Sequence, residues 1–165
     1  MANLNTLLTN DEYYTPKIIF ENILHYLPRD KIYLDPFFGN GTSINNLNKL
    51  GLNAIGSNID YFDALRDLQY DVIITNSPFS RGILIEFLYN LSALDKPFVI
   101  ILPITKIFSK YFRTAFRQYK NIQLIIPSKR LAFDDPTKPN NKSNPSFCCC
   151  YICYRMDLPS DIIFL

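Results

Sequence analysis

Asp35-Pro36-Phe37-Phe38-Gly39-Asn40-Gly41-Thr42-Ser43 carries a carboxylate, then two glycines two positions apart, between an apolar run and a stretch with helical character. Glycines at that spacing let the backbone turn tightly and approach a ligand closely. A helix opening at Thr42 then offers unpaired N–H groups to a polar or anionic group. The third glycine of the dinucleotide-binding fingerprint is missing, and Asp35 stands where a cationic amine rather than a pyrophosphate can be met. Taken alone, such a turn also forms with no ligand at all.

A second segment, Asn76-Ser77-Pro78-Phe79, ends another apolar run. The Asn76 side-chain oxygen and the Ser77 carbonyl can both accept hydrogen bonds from an exocyclic NH2, and Phe79 offers a ring face for stacking. A flat, amine-bearing base requires that set of groups. Taken alone, the same tetrapeptide also reads as a type I turn containing Pro78.

The elements that must position these groups follow from the pattern of apolar runs. Ile32 to Phe37, Asn53 to Asn58, Asp71 to Asn76, Phe98 to Pro103 and Ile122 to Ser128 are short and apolar throughout, as for strands covered on both faces, and Phe147 to Tyr154 adds a sixth. Helices are expected at Lys17 to Tyr26, with Thr15 as N-cap and Pro16 at the first helical position, and at Thr42 to Leu50, Arg81 to Leu94 and Ile104 to Lys120. Alternating strands and helices predict an α/β domain with a mostly parallel sheet, in which ligands bind at the carboxyl edge. Both segments lie on that edge. With 165 residues, 48% hydrophobic, the chain predicts one compact domain over 1–165, with a surface loop at Lys129 to Pro145 rich in Pro, Asn, Asp and Lys.

Together these segments resemble the amino-methyltransferases of DNA, in particular short phage-type or viral-type adenine N6 methyltransferases. In that family a strand ends in Asp-Pro-Phe-x-Gly-x-Gly-Thr, matched from Asp35 to Thr42, and a later one in Asn/Asp-Pro-Pro-Tyr/Phe, matched with one departure by Asn76 to Phe79. Tyr14-Thr15-Pro16 is similar to the family's first cofactor-contacting element. The resemblance implies a Rossmann-like class I fold whose last main strand, at the C-terminal end, runs antiparallel. It implies S-adenosyl-L-methionine as cofactor, with Tyr14, Thr15, Asp35, Pro36, Phe37, Gly39, Gly41 and Thr42 around it. Asn58 or Asp60 falls where the family places the acidic residue that holds the ribose. Asn76, Ser77, Pro78 and Phe79 fall at the catalytic tetrapeptide, and the implied substrate is the N6 amine of adenine in nucleic acid, DNA before RNA. Ser77 replaces the family's first proline. The segment from Asp60 to Tyr70 is too short for a helix, a strand and another helix, so one edge strand is expected to be reduced or absent. Asp60, Tyr61 and Phe62 then line the cofactor's adenine pocket, or Tyr61 and Phe62 form a plain surface turn.

Lys106, Lys110, Arg113, Arg117 and Lys120 recur at three- and four-residue spacing, which on one helix makes a basic face opposite Ile107, Phe108, Tyr111, Phe112, Ala115, Phe116 and Tyr119. The face is either merely solvated or a track for phosphates, extended by Lys129, Arg130, Lys138 and Lys142 of the loop. Cys148, Cys149, Cys150 and Cys153 have neither disulfide nor zinc spacing, and lying in an apolar run they read as core filler, not as nucleophiles. Their pattern, with no leader and no bilayer-length apolar run, predicts a soluble intracellular chain, cytoplasmic in a cell or in a virus's host. No separate target-recognition domain is expected, so a homodimer or a partner subunit is a candidate source of additional grip. The rival reading is a catalytically silent, nucleic-acid-binding subunit of methyltransferase type, which Ser77 and Asn58 favour.

Overall fold

Buried β-branched and aromatic residues put three strands at the centre of one sheet. The computed structural model describes residues 13–119, 121–135, 142–143 and 147–165. It contains strands β1 (Ile32–Leu34), β2 (Asn53–Ile55), β3 (Val72–Asn76), β4 (Phe98–Pro103), β5 (Ile122–Ile126), β6 (Phe133–Asp134), β7 (Lys142–Ser143), β8 (Cys149–Tyr154) and β9 (Ile162–Phe164). Seven of them form a sheet in the order β2-β1-β3-β4-β8-β5-β9. Only β8 runs against its neighbours in that sheet, pairing antiparallel with both β4 and β5. All six residues of β4 and all six of β8 are buried, because helices cover both faces of the sheet.

Alternate residues feed two cores, as the two-residue period of a strand requires. Ile74, Val99, Ile101, Tyr151 and Cys153 join Ile19, Phe20 and Leu47 from helices α1 (Lys17–Glu21) and α2 (Thr42–Lys49). Ile73, Phe98, Ile100, Cys150 and Ile152 join Leu65, Phe87, Leu91 and Phe112 from α3 (Tyr61–Asp67), α4 (Arg81–Leu94) and α5 (Lys110–Ala115). From β1 the chain crosses through α2 to β2 on one side, and β3 then returns to pair with β1 on the other. This reversal makes a topological switch point at the carboxyl ends of β1 and β3, the place where such sheets bind ligands.

Several elements depart from the sequence expectation. The strands β1, β2 and β5 stop two or three residues early. Helix α1 ends at Glu21 and is followed by a 3₁₀ turn over Leu24–Tyr26, and its cap position is Pro16, with no side-chain cap bond. Thr15 is instead buried one residue earlier. The expected helix from Ile104 to Lys120 is a 3₁₀ segment, Ile104–Phe108, a break at Ser109, and then α5. Asp60 to Tyr70 contains α3, started by the Asp60 carboxylate accepting from the Phe62 N–H at 2.9 Å. Among the described residues no strand lies beyond β2, so that edge lacks the usual strand, while β9 adds one beyond β5. The loop from Lys129 also contains regular structure, since β6 and β7 pair antiparallel apart from the main sheet. Lys120 and Lys138, and the side chain of Lys142, lie outside the described residues. Among the described residues no helix is long and apolar enough to cross a membrane, and no group of His, Cys, Asp and Glu could hold a metal.

Candidate active site

Asp35 directly follows β1 and is 2% exposed. Its Oδ1 accepts from the Thr75 hydroxyl at 2.6 Å and from the Phe37 N–H at 3.1 Å. Burial pushes its pKa up to about 7, against the pull of the Thr75, Phe37 and Ser43 hydrogen bonds. A carboxyl in that state is poised to become charged when a cation arrives beside it. Thr75, the residue that ties the end of β3 to the end of β1, was missed in the sequence; its only signal is a hydroxyl in the otherwise apolar run Val72-Ile73-Ile74-Thr75.

Beyond buried Pro36 the chain makes the glycine loop. Gly39 and Gly41 both take left-handed backbone, with φ of 53° and 80°, which any side chain would strain. A Cβ on Gly41 would also stand 3.3 Å from the Phe38 ring. Gly41 donates its N–H to the Phe38 carbonyl at 2.8 Å and caps α2, and the Thr42 N–H goes to Asn40 Oδ1 at 3.0 Å. Phe37 stacks on Tyr61 with centroids 5.0 Å apart and meets Phe87 edge-on at 4.9 Å, so Tyr61 is a buried wall and not a surface turn. Phe62, by contrast, is 44% exposed, with the Arg66 guanidinium 5.9 Å from its ring. Asn58 is exposed just after β2, and Asp60 is occupied in capping α3.

Tyr14 bridges to Asp134 by a pair of backbone hydrogen bonds of 3.0 Å, and the Thr15 carbonyl accepts from Asn46 of α2. The N-terminal element is therefore held between β6 and the helix that the glycine loop opens.

At the end of β3, Asn76 pairs in register with Ile101, and Ser77 is 2% exposed. The side-chain oxygens of both, Asn76 Oδ1 and Ser77 Oγ, are buried with no hydrogen-bond partner. A buried polar atom left unpaired costs about 1–3 kcal/mol, and these two, in succession at a strand end, are free to accept from a donor outside the protein. Phe79 is half-buried and meets the Phe147 ring edge-on at 5.1 Å. The structure thus brings Asp35, Thr42, Asn76, Ser77 and Pro78 to one edge of the sheet, with the Asp35–Thr75 bond joining the two segments.

The basic residues are less unified than a single helix would make them. Lys110, Arg113 and Arg117 are exposed on α5 and the turn after it, but Lys106 is half-exposed on the separate 3₁₀ segment. Phe108, expected on the buried side, is 72% exposed. Lys129 and Arg130 are exposed after β5. Cys149, Cys150 and Cys153 fill the core, where burial pushes their thiols up to about 12, 11 and 12, so none is a ready nucleophile. Only Cys148 is exposed, and its carbonyl accepts from the Ile104 N–H.

No family model and no curated protein matches the chain. Solved structures do. A Listeria monocytogenes protein described as a class I S-adenosylmethionine-dependent methyltransferase aligns with a TM-score of 0.59 and 14% identity over 96% of this chain and 66% of its own. This chain thus spans just under two thirds of that protein's length. A precorrin-6y C5,15-methyltransferase from Geobacter metallireducens aligns with a TM-score of 0.49 and 14% identity, covering 88% of this chain and 95% of that one. A TehB-like methyltransferase from Corynebacterium glutamicum gives 0.46 and 17%, covering 90% and 91%. The first of these alignments, with the strand order above, identifies the fold as the Rossmann-like fold of class I methyltransferases.

Proposed function

We propose that this chain, built on the class I methyltransferase fold, uses S-adenosyl-L-methionine to methylate the N6 amine of adenine in nucleic acid, DNA in preference to RNA. The observation that carries the reading is the buried, unpartnered Oδ1 of Asn76 at the carboxyl end of β3. An acceptor desolvated in advance and aimed at no protein donor suits an amine brought by a substrate. The N6 lone pair of adenine is delocalised into the ring, so the amine is a weak nucleophile until acceptors draw its hydrogens out of the plane. Asn76 Oδ1 and the Ser77 carbonyl would do that, and Phe79 would stack on the base, which a duplex must first flip out.

The residues at this switch point suit the cofactor. Asp35 would meet its amine, Gly39 and Gly41 would let the backbone close on it, and Asn58 or Asp60 would bind the ribose. Tyr14, Thr15, Pro36, Phe37 and Thr42 would form the wall. The bound cofactor supplies an electrophilic methyl group, and the protein contributes positioning and preorganised dipoles with no covalent intermediate. Lys106, Lys110, Arg113, Arg117, Lys129 and Arg130 would take phosphates.

Incubation with methyl-labelled cofactor and separate DNA and RNA pools, followed by nucleoside analysis, tests the proposal. Label in N6-methyladenosine or its deoxy form supports it. Cofactor binding without label transfer to any base supports the silent-subunit reading instead, which the replacement of a rigid proline ring by Ser77 favours.

A further inference from the structure

From Lys96 to Phe133 the chain carries eight lysines and arginines and no aspartate or glutamate, although acidic and basic residues nearly balance over the whole molecule. In this segment Phe108 is 72% exposed, one of the two most exposed large apolar side chains described. Its position is not a consequence of a loose element. Ile104 and Ile107 of the same 3₁₀ segment pack against the core, and Phe112 of α5 is buried. The corner that presents Phe108 is fixed by Ser109, which donates its hydroxyl to the Lys106 carbonyl at 2.6 Å and its N–H to the same oxygen at 3.0 Å, and accepts from the Phe112 N–H. The 3₁₀ segment that leads to the corner follows β4 directly, and β4 lies beside β3 with Ile101 opposite Asn76. The chain therefore leaves β4 at the edge of the sheet where Asn76 ends β3, and Phe108 is exposed five residues later. Lys106 precedes it, Lys110 follows it, and neither of these, nor Arg113 or Arg117, has an ion-pair partner among the described residues.

We propose that Phe108 is a stacking platform for an unpaired base of single-stranded nucleic acid whose phosphates are met by Lys106, Lys110, Arg113 and Arg117. The inference rests on the nucleic-acid reading of the site above. An exposed aromatic ring on an anchored corner, with a lysine two residues to either side, matches the two groups that alternate along a single strand, a flat π surface and a negative charge. A paired duplex does not offer the first, because its bases already stack on their neighbours. Most of a strand's affinity comes from phosphates and is lost with salt, whereas the stacked base contributes a term that salt changes little.

The test is binding of an oligo(dA) of about a dozen nucleotides, long enough for one such site, over a range of salt concentrations. Phe108→Ala should bind roughly five- to a hundredfold more weakly with the salt slope unchanged, and Phe108→Leu, apolar but without a ring, should lose affinity similarly. The chain has no tryptophan, so Phe108→Trp installs a single reporter, whose emission should be quenched on binding. Parental affinity in Phe108→Ala, unchanged emission from Phe108→Trp at saturation, or no binding by the parent protein at low salt overturns the inference. The readout is independent of methyl transfer. Stacking on Phe108 without methylation of any nucleic acid leaves this inference standing and defeats the catalytic reading, while adenine methylation with Phe108→Ala binding and turning over like the parent does the reverse.

Discussion

The Thr75 hydroxyl donates to Asp35 Oδ1 at 2.6 Å, joining the ends of two neighbouring strands through a buried carboxyl whose pKa is pushed up to about 7. The bond sets the residue proposed to meet the cofactor beside the residue that precedes Asn76 to Phe79, the proposed catalytic segment. On the proposed reading, cofactor binding and substrate placement would share a single hydrogen bond between side chains.

Asp35→Asn should abolish cofactor binding in calorimetry while raising the thermal stability of the ligand-free protein above neutral pH. Burial raises the carboxyl from 3.8 to about 7, so its contribution is fully present below about 4 and is lost as pH rises through about 7. At 1.36 kcal/mol per unit, the parent should lose roughly 4 kcal/mol over that interval, and the asparagine variant, always neutral, should not. A variant that binds cofactor like the parent would remove Asp35 from the site.

Thr75→Val keeps the shape and deletes the hydroxyl that lowers the Asp35 pKa. Cofactor affinity in the parent should decline as pH falls below about 7, since a protonated Asp35 no longer attracts a cation. In the valine variant the decline should begin at higher pH. Identical pH profiles of affinity would disconnect the two residues.

Asn76→Ala and Phe79→Ala should each retain cofactor affinity and lose turnover, by a hundredfold or more for Asn76 if it acts as an oriented acceptor of the kind whose removal costs about 10²–10³ in rate. Asn76→Ala also removes an unpartnered buried oxygen, so its thermal stability should not fall by more than the small cavity requires. Near-parental methylation of adenine by Asn76→Ala would exclude the mechanism.

Replacing Lys110, Arg113 and Arg117 together with glutamine should weaken nucleic-acid binding and flatten its salt dependence by about one unit of slope for every phosphate that is no longer neutralised. The fold should persist, because Phe112 and Phe116, which anchor this segment to the core, are untouched. An unchanged salt slope would make these three charges a solvated surface only.

The legible parts of the sequence were those where local chemistry and burial agree. Buried runs such as Phe98–Pro103 marked strands, and the glycine pair marked a turn that needs left-handed backbone. Where a helical period continued across a break, it misled. Ser109 interrupts the run from Ile104 with extended backbone and caps a new helix, and that cap turns Phe108 outward although its spacing placed it inside. Helix α3 was hidden by its length, although Asp60 before Tyr61-Phe62 carries a recognisable cap. Strand β9 is three residues long and half exposed, so it has too little periodicity to be read. The Asn76 oxygen was readable as an acceptor, but that it stays unpaired, and that the Thr75 hydroxyl bonds Asp35, depends on which partners tertiary packing withholds or supplies.

The contrast between Cys148 and its buried neighbours makes the chain singly addressable by thiol-directed reagents. One maleimide should couple per native molecule and four after unfolding, since the other thiols are both enclosed and held protonated. That one attachment point adjoins Phe147, whose ring meets Phe79. An environment-sensitive dye coupled there, with no engineered cysteine, would report directly on whether a base has entered.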